Sequence, residues 1–196
     1  MDVVGEDGEP VRGEVGELVC RRPWPGMARG IWRDPERYLD TYWRRFPGMW
    51  CHGDWASVDA DGYWFLHGRS DDTLNIAGKR IGPSELESAA VSHPDVAEAA
   101  AVGVPHEVKG EVAWLFCVAT PGREPDPAEI RAAVAAEVGK AFAPERIVLV
   151  PALPRTRSAK IVRRAVRATA LGRDPGDLST LENPESLDGI KEALDG

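Results

Sequence analysis

Cysteine is scarce in this chain of 196 residues, which contains only Cys20, Cys51 and Cys117 and no CxxC pair. An odd number of widely spaced cysteines argues against a disulfide framework and against a zinc site built from thiolates. No apolar run approaches the roughly 18 residues that a membrane-spanning helix needs. Residues 1–6 carry neither the basic stretch nor the apolar run of a signal peptide. These absences predict a protein of the reducing cytoplasm without a membrane partner.

Positive charge is also in deficit, since the formal net charge is −8, and this balance disfavours a general nucleic-acid-binding protein. One local run of cations nevertheless contains no intervening acid: Arg155, Arg157, Lys160, Arg163, Arg164, Arg167 and Arg173. Such a run forms either a solvated basic helix start or a surface for RNA, although it lacks an aromatic platform for bases. Nucleic-acid binding is therefore a less favoured alternative function. Nucleic acid is not among the partners that we predict.

The first part of the chain is dense in aromatic residues and turns. Six of the seven tryptophans lie there: Trp24, Trp32, Trp43, Trp50, Trp55 and Trp64. Asp-Gly pairs at residues 7–8 and 61–62 predict hairpin turns, residues 14–20 predict a strand, and Asp34 followed by Pro35 predicts a helix start. So much aromatic surface on fewer than 70 residues has too little partner structure to bury it. Residues 1–70 are therefore expected to be the β-rich edge of a larger domain.

The second part of the chain alternates strand and helix patterns. The predicted elements are a helix over 83–93, strands over 96–104 and 112–119, a helix opened by Asp126 with an apolar face reaching Phe142, a strand over 146–150 and a helix over 161–169. This pattern predicts an α+β fold with a three-stranded sheet packed by helices. The small domain is expected to cover residues 71–175, followed by a tail over 176–196.

Three segments place charges beside glycine or small residues in loops, where a backbone can approach a ligand closely. They are residues 50–54 (WCHGD), residues 68–85 (GRSDD through GKRIGPSE) and residues 154–161 (PRTRSAKI). With residues 25–32 and 177–181, they resemble in order and spacing the C-terminal portion of AMP-forming acetyl-CoA synthetases of the adenylate-forming acyl-CoA synthetase superfamily. The resemblance covers nearly the whole chain and identifies residues 1–70 as the end of the family's large N-terminal adenylating domain.

The resemblance implies a ligase reaction in two steps, in which acetate or propionate and ATP form acyl-AMP and coenzyme A then takes the acyl group. ATP, coenzyme A and Mg²⁺ are the expected cofactors, with the Mg²⁺ ligands in the large domain.

The printed sequence contains neither that domain's phosphate loop nor its acyl pocket, so the chain alone is expected to be inactive. The alternatives are half of a split ligase with a separate large chain, or a non-catalytic module that binds coenzyme A or adenylate. No metal site is expected, because His52 and Asp54 lack the converging ligands that one requires.

Three positions match the family's nucleotide-binding residues. The resemblance places Asp54 on the ribose hydroxyls, and a carboxylate can indeed accept two hydrogen bonds from a cis-diol. It places Arg69 near the ribose and phosphate and Arg80 at the α-phosphate. The residue types alone leave simpler roles open: Asp54 as a turn aspartate, and Arg69 in a surface ion pair with Asp71 or Asp72.

Four further positions match the family's hinge, its coenzyme A tunnel and its catalytic lysine. The resemblance implies that Asp71 is the hinge of the small domain and that Ala77 and Gly78 form the edge of the coenzyme A tunnel. Lys160 matches the catalytic lysine of the adenylation step. The sequence departs from the family at Ala159, where glycine is usual, and Ala can adopt a positive φ only at a cost of roughly 1 kcal/mol.

Overall fold

The computed structural model describes all 196 residues, and they divide into two compact units, Met1–Asp71 and Asp72–Gly196. None of the helices combines the length and apolarity that crossing a membrane would require.

The first unit is built on one antiparallel sheet. Its strands are β1 (Asp2–Val4), β2 (Gly16–Cys20), β3 (Trp50–Val58) and β4 (Trp64–Arg69), in that spatial order. The predicted turn at residues 61–62 is confirmed, because it joins β3 to β4 with Gly62 at φ +86°. This hairpin matters for the site, since it pairs Asp54 directly with Arg69 across the two strands.

The first unit has one helix, α1 (Pro35–Tyr42), which begins where the sequence predicts. The Asp34 side chain accepts a hydrogen bond from the Arg37 N–H, and Pro35 occupies the first turn, where its missing N–H costs nothing. The helix buries none of its residues fully. It contacts the sheet instead through Tyr42, whose ring stacks on Trp50 with centroids 4.9 Å apart.

The first unit leaves much of its apolar surface uncovered, as its composition predicts. Trp24 and Trp32 are 68% and 85% exposed, and every residue of the edge strand β4 is exposed. The fully buried apolar side chains form only two small clusters: one contains Val3, Leu18, Ala56 and Val58, and the other contains Val4, Val19, Phe46 and Cys51. An open, apolar edge strand is a template for pairing with another chain.

We expect the 196-residue chain to self-associate through this surface. Size-exclusion chromatography with light scattering should show dimers or larger species at micromolar concentration. Replacing Trp64 and Leu66 on β4 with serine should shift the chain towards monomer, whereas serine at Val108, an exposed residue of the second unit, should not. A clean monomer of the unsubstituted chain would contradict this expectation.

The second unit is a sheet with helices on both faces. Its strands are β5 (Leu74–Ile76), β6 (Lys79–Ile81), β7 (Val96–His106), β8 (Gly110–Ala119) and β9 (Arg146–Leu149), and its helices are α2 (Pro83–Val91), α3 (Pro127–Val138), α4 (Arg163–Ala170) and α5 (Ser186–Asp195). The spatial order is β6-β5-β8-β7, and β9 runs parallel to β8. The mixed α and β fold is confirmed, but the expected three-stranded sheet is wrong, because the sheet has five strands. Strands β5 and β6 have three residues each, which is too short for a readable alternation of apolar and polar residues.

The core of the second unit lies on both faces of β7 and β8. Along β7, Ala99 and Ala101 face the cluster that contains α2 and α3, and Ala100 and Val102 face the cluster that contains α4 and α5. A strand covered on both faces has a nearly continuous apolar sequence. The expected tail contributes to this core, since Ile190 of α5 is fully buried.

Helix α2 ends at Val91, two residues before the end predicted for it. Two further predicted helices also have different bounds in the structure. Helix α3 ends at Val138 because Gly139 adopts φ +93°, so that Phe142 lies in a separate 3₁₀ turn, Lys140–Phe142. Helix α4 begins at Arg163 and not at Ile161, because Ile161 forms a β-bridge with Arg155. A backbone angle decides the end of α3 and a β-bridge decides the start of α4. Neither can be deduced from the spacing of apolar residues.

Candidate functional site

Asp54 lies in the middle of a small polar cluster on the first unit. Its carboxylate is 20% exposed, with Oδ2 2.5 Å from Nδ1 of His52 and Oδ1 3.8 Å from Nη1 of Arg69. Gly53 makes this cluster possible. It adopts φ +82°, and a Cβ there would lie 2.9 Å from Nη2 of Arg69, so a side chain would collide with the guanidinium. The glycine therefore lets the arginine lie across β3 beside the carboxylate.

Arg69 is held in place by Asp71. Its Nε and Nη2 donate to the two oxygens of the Asp71 carboxylate at 2.8 Å each, in the paired geometry that fixes a guanidinium plane. Hydrogen bonding from Arg69 is the main reason that the pKa of Asp71 lies below its ordinary value. The ion pair that the residue types allowed is therefore present, and it orients Arg69 next to Asp54.

Ser70 is tied to the first unit by two hydrogen bonds. Its N–H donates to the Gly53 carbonyl at 3.0 Å, and its hydroxyl donates to Oε1 of Glu17 at 2.8 Å. Glu17 is only 1% exposed and also accepts from Nη1 of Arg45 at 2.5 Å. Sequence reasoning missed Glu17, although a carboxylate within the otherwise apolar strand Gly16–Cys20 was a signal of a specific partner. The chain is thus anchored immediately before Asp71, where the first unit ends.

Cys51 also contacts the buried Glu17 carboxylate. Its thiol donates to Oε1 of Glu17 at 3.3 Å. Burial, together with the nearby Glu17 carboxylate, raises the pKa of Cys51 to about 11. The thiol is therefore protonated at neutral pH and acts as a hydrogen-bond donor and not as a nucleophile.

On the second unit, Arg163 joins three segments of the chain. Its Nε and Nη2 donate to Glu87 of α2 at 2.7 and 2.6 Å, and its Nη1 lies 3.6 Å from Asp72. Glu87 also accepts the Ala101 N–H of β7 at 2.9 Å. The first residue of α4 is therefore tied to the start of the unit and, through Glu87, to the sheet.

Ala77 and Gly78 form the two-residue turn between β5 and β6. Their φ values are +50° and +79°, which is the left-handed pair of a type I′ hairpin turn. The Ala77 N–H donates to the Lys109 carbonyl at 2.9 Å, so the β7–β8 hairpin holds this turn. Arg80 follows on β6, and it borders an open depression that is also lined by Ser84 of α2.

Lys160 lies at the end of a tight turn that starts at Thr156. The Thr156 N–H donates to the Lys160 carbonyl at 2.9 Å, and the Lys160 N–H lies 3.2 Å from the Thr156 hydroxyl. The tail supports this turn through a bridge between Thr156 and Leu181 and through Asn183, whose Oδ1 accepts the Arg155 N–H at 2.8 Å. Sequence reasoning missed Asn183. The Lys160 side chain is exposed and forms no ion pair, so its ammonium group points into solvent on a stiff support.

Ala159 adopts φ +62°, which explains why the related position usually holds glycine. We expect Ala159→Gly to raise the free energy of unfolding by about 0.5–1 kcal/mol, because removal of Cβ relieves the left-handed strain and outweighs the added chain entropy. Urea unfolding followed by circular dichroism measures the change. Ala136→Gly, on the exposed side of α3, is the matched control and should lower the free energy of unfolding by about 1 kcal/mol. A loss of stability in both variants would contradict the strain at Ala159.

The basic run does not present a continuous surface for nucleic acid. Arg155 pairs with Glu98, Arg167 pairs with Glu111 at 2.8 Å, and Arg163 is occupied as described. Arg164 donates to backbone carbonyls of the tail. Carboxylates therefore neutralise three of the seven charges that the sequence had grouped, those of Arg155, Arg163 and Arg167, and these three side chains have structural roles.

Comparison with known proteins shows which proteins the chain is similar to. Residues 85–160 match the AMP-binding enzyme C-terminal domain family. The whole chain is 49% identical to 30% of an acetyl-coenzyme A synthetase from Pyrobaculum arsenaticum, and 45% identical to 30% of a 3-hydroxypropionyl-coenzyme A synthetase from Sulfurisphaera tokodaii. Among solved structures, acetoacetyl-CoA synthetase from Streptomyces lividans superposes with a TM-score of 0.84 at 29% identity, over 99% of this chain and 30% of that one. The chain thus spans about 30% of the length of the curated relatives that it matches.

Proposed function

Because residues 85–160 form an AMP-binding enzyme C-terminal domain, in a chain related over its full length to acetyl-coenzyme A synthetases, we propose that the chain is the C-terminal portion of an AMP-forming acetate–CoA ligase. In the first half-reaction a carboxylate oxygen of acetate or propionate attacks the α-phosphorus of ATP and releases pyrophosphate. In the second, the sulfur of coenzyme A attacks the acyl carbon and releases AMP. The observation that carries the proposal is identity near 49% along the entire chain.

Asp54 and Arg69 are proposed to bind the nucleotide. A carboxylate that is mostly buried, yet still open on one side, can accept hydrogen bonds from both ribose hydroxyls. Arg69 is already oriented by Asp71, so little side-chain entropy is lost when its remaining donors meet a phosphate or ribose oxygen.

Lys160 is proposed as the catalytic residue of the first half-reaction. Its ammonium group would stabilise the negative charge that moves between the attacking carboxylate and the α-phosphate oxygens. The stiff turn from Thr156 to Lys160 supports this role, because a preorganised charge needs no reorganisation during the reaction.

The second half-reaction is proposed to use the turn at Ala77 and Gly78, where a bare backbone can lie against the pantetheine chain of coenzyme A. Arg80 would contact a phosphate. Exchange between the two half-reactions would require rotation about Asp71. The anchors support this pivot, since Ser70 is tied to the first unit by Glu17 and Asp72 is tied to Arg163.

Mg²⁺ ligands are proposed to lie outside this chain. No group of three or more His, Cys, Asp or Glu residues in the chain could hold a metal ion. ATP chemistry commonly requires Mg²⁺ on the phosphates, so its ligands would belong to a large adenylating domain. Residues 1–70 are proposed as the end of that domain, 71–175 as the mobile small domain and 176–196 as its supporting tail.

Joining this chain to the large domain of an acetyl-coenzyme A synthetase tests the proposal. The fusion should release pyrophosphate from ATP, Mg²⁺ and acetate, and should make acetyl-CoA when coenzyme A is added. The 196-residue chain alone should release none above the blank, because no acyl pocket or phosphate loop is present. The same large domain joined to its own C-terminal portion is the positive control. An inactive fusion beside an active control, or turnover by the chain alone, would contradict the proposal.

The same parts distinguish a split enzyme from a single chain. If the two halves work as separate subunits, mixing the 196-residue chain with the large domain in solution should restore pyrophosphate release at micromolar concentrations. If activity needs the covalent joint, only the fusion should be active.

A further inference from the structure

His52 directly contacts the carboxylate that the proposed function places on the ribose. Its Nδ1 lies 2.5 Å from Oδ2 of Asp54, and both residues are on β3. Nothing in the sequence pattern assigned His52 a role, because a histidine and an aspartate alone lack the three or four ligands of a metal site. The contact is the shortest connection between Asp54 and another side chain.

The chemistry of the pair defines where the proton lies. An ionised carboxylate can only accept hydrogen bonds, so the short contact requires a proton on Nδ1 of His52. A neutral imidazole carries one N–H, and the hydrogen bond of one ring nitrogen sets the tautomer. The neutral ring is therefore held as the Nδ1–H form, with Nε2 unprotonated.

Aromatic packing holds the ring from the other side. Trp50 meets the imidazole edge-on, with centroids 5.6 Å apart and planes at 77°. Trp50 in turn stacks on Tyr42 of α1, with centroids 4.9 Å apart and planes within 6°. The indole Nε1 of Trp50 is buried without a hydrogen-bond partner, a cost that the stacking must offset. A side chain supported in this way is a stiff donor.

Arg69 competes for the same carboxylate. Its Nη1 lies 3.8 Å from Oδ1 of Asp54, beyond hydrogen-bond distance but close enough to attract. Without His52, rotation of the Asp54 side chain towards Arg69 would shorten this ion pair to hydrogen-bond distance and turn the oxygens away from their present direction. The hydrogen bond from His52 prevents this rotation.

We propose that His52 is a positioning residue, which holds the Asp54 carboxylate away from Arg69 and presents it to the two ribose hydroxyls of the adenylate. The inference rests on the proposed function for its ligand, while the His52–Asp54 pair itself is a property of the first unit. It predicts an effect on nucleotide binding and not on the chemical step.

The tautomer of His52 can be measured on the 196-residue chain, and this measurement does not require enzymatic activity. Long-range ¹H–¹⁵N correlation spectra recorded at alkaline pH show which ring nitrogen carries the proton. We expect the Nδ1–H form for His52, and loss of that form in Asp54→Ala. His67 is the internal comparison, because its contact is between Nε2 and the Ser57 hydroxyl at 2.8 Å and should not respond to Asp54→Ala. An Nε2–H form at His52 in the unsubstituted chain would overturn the proposal.

The role of His52 is measured in the fusion with a large domain. His52→Ala should raise the KM for ATP roughly tenfold, about the effect of one lost hydrogen bond to a charged group, and should change kcat less than about twofold. His52→Asn should restore most of the affinity, since its amide nitrogen is attached to Cγ as Nδ1 is. His67→Ala, which changes an exposed histidine on the same sheet, should leave KM unchanged.

Equal effects of His52→Ala and His67→Ala, or no rescue by His52→Asn, would show that His52 serves only the stability of the sheet. An inactive fusion contradicts the proposed function and not the pairing, which the tautomer measurement on the chain itself still decides.

Discussion

Lys160→Ala in the fused enzyme is expected to slow acyl-adenylate formation by on the order of 100- to 1000-fold, the usual effect of losing one preorganised charge at a developing oxyanion. The same variant should convert supplied acetyl-AMP and coenzyme A to acetyl-CoA at the unsubstituted rate. The reason is that the ammonium group removed by this substitution is proposed to serve only the first half-reaction. Pyrophosphate release and thioester formation, measured separately, give the two rates. Acetylation of the Lys160 amine removes the same charge and should reproduce the substitution.

Lys191→Ala is the matched control for this variant. Lys191 is also an exposed lysine of the second unit, but it lies on α5 and pairs with Asp188 at 2.8 Å. Both half-reactions should keep their rates in the control. If Lys160→Ala slows both half-reactions equally, Lys160 supports the turn that starts at Thr156 and is not a catalytic residue.

Asp71→Pro is expected to give the opposite pattern, with adenylation largely retained and thioester formation slowed by roughly tenfold or more. Proline fixes φ near −65° at the point where the two units meet in sequence, and it also restricts Ser70 before it. A stiff joint would leave the enzyme in whichever arrangement it adopts with ATP. Single-turnover formation of acetyl-CoA from acetyl-AMP measures the loss.

Asp71→Ala distinguishes the effect of a rigid backbone at residue 71 from the effect of losing the Asp71 carboxylate. Alanine removes the carboxylate that holds Arg69 but leaves φ free. It should therefore weaken ATP binding while it leaves the thioester step near its unsubstituted rate. If alanine slows the thioester step as much as proline does, the ion pair with Arg69 matters for that step and the rotation at Asp71 does not.

Much of the local structure follows from short stretches of sequence. Asp34 with Pro35 started a helix, the glycine at residue 62 closed a hairpin, and the apolar runs of β7 and β8 became the two longest strands of the second unit. These features depend on contacts between residues near each other in the chain, such as caps, turns and side-chain periodicity, which a single sequence displays directly. The resemblance to a family, carried by charged loop motifs, is confirmed by the comparisons for the same reason.

The short strands and the ends of the helices could not be predicted from caps, turns and side-chain periodicity. Strands β5 and β6 exist because they pair with each other and with β8, and three residues carry too little periodicity to reveal that pairing. The end of α3 was set by one backbone angle at Gly139 and not by its apolar face.

The sequence by itself predicted the resemblance to acetyl-CoA synthetases, the α+β class and the candidate residues Asp54, Arg69 and Lys160. Only the tertiary structure decided which distant side chains anchor the segments on either side of Asp71. Glu17 reaches Ser70 across 53 residues and Arg163 reaches Glu87 across 76, and no local pattern encodes contacts at such separations. Such contacts depend on how the strands and helices pack, because a polar side chain that leaves water must find its partner wherever the fold places one.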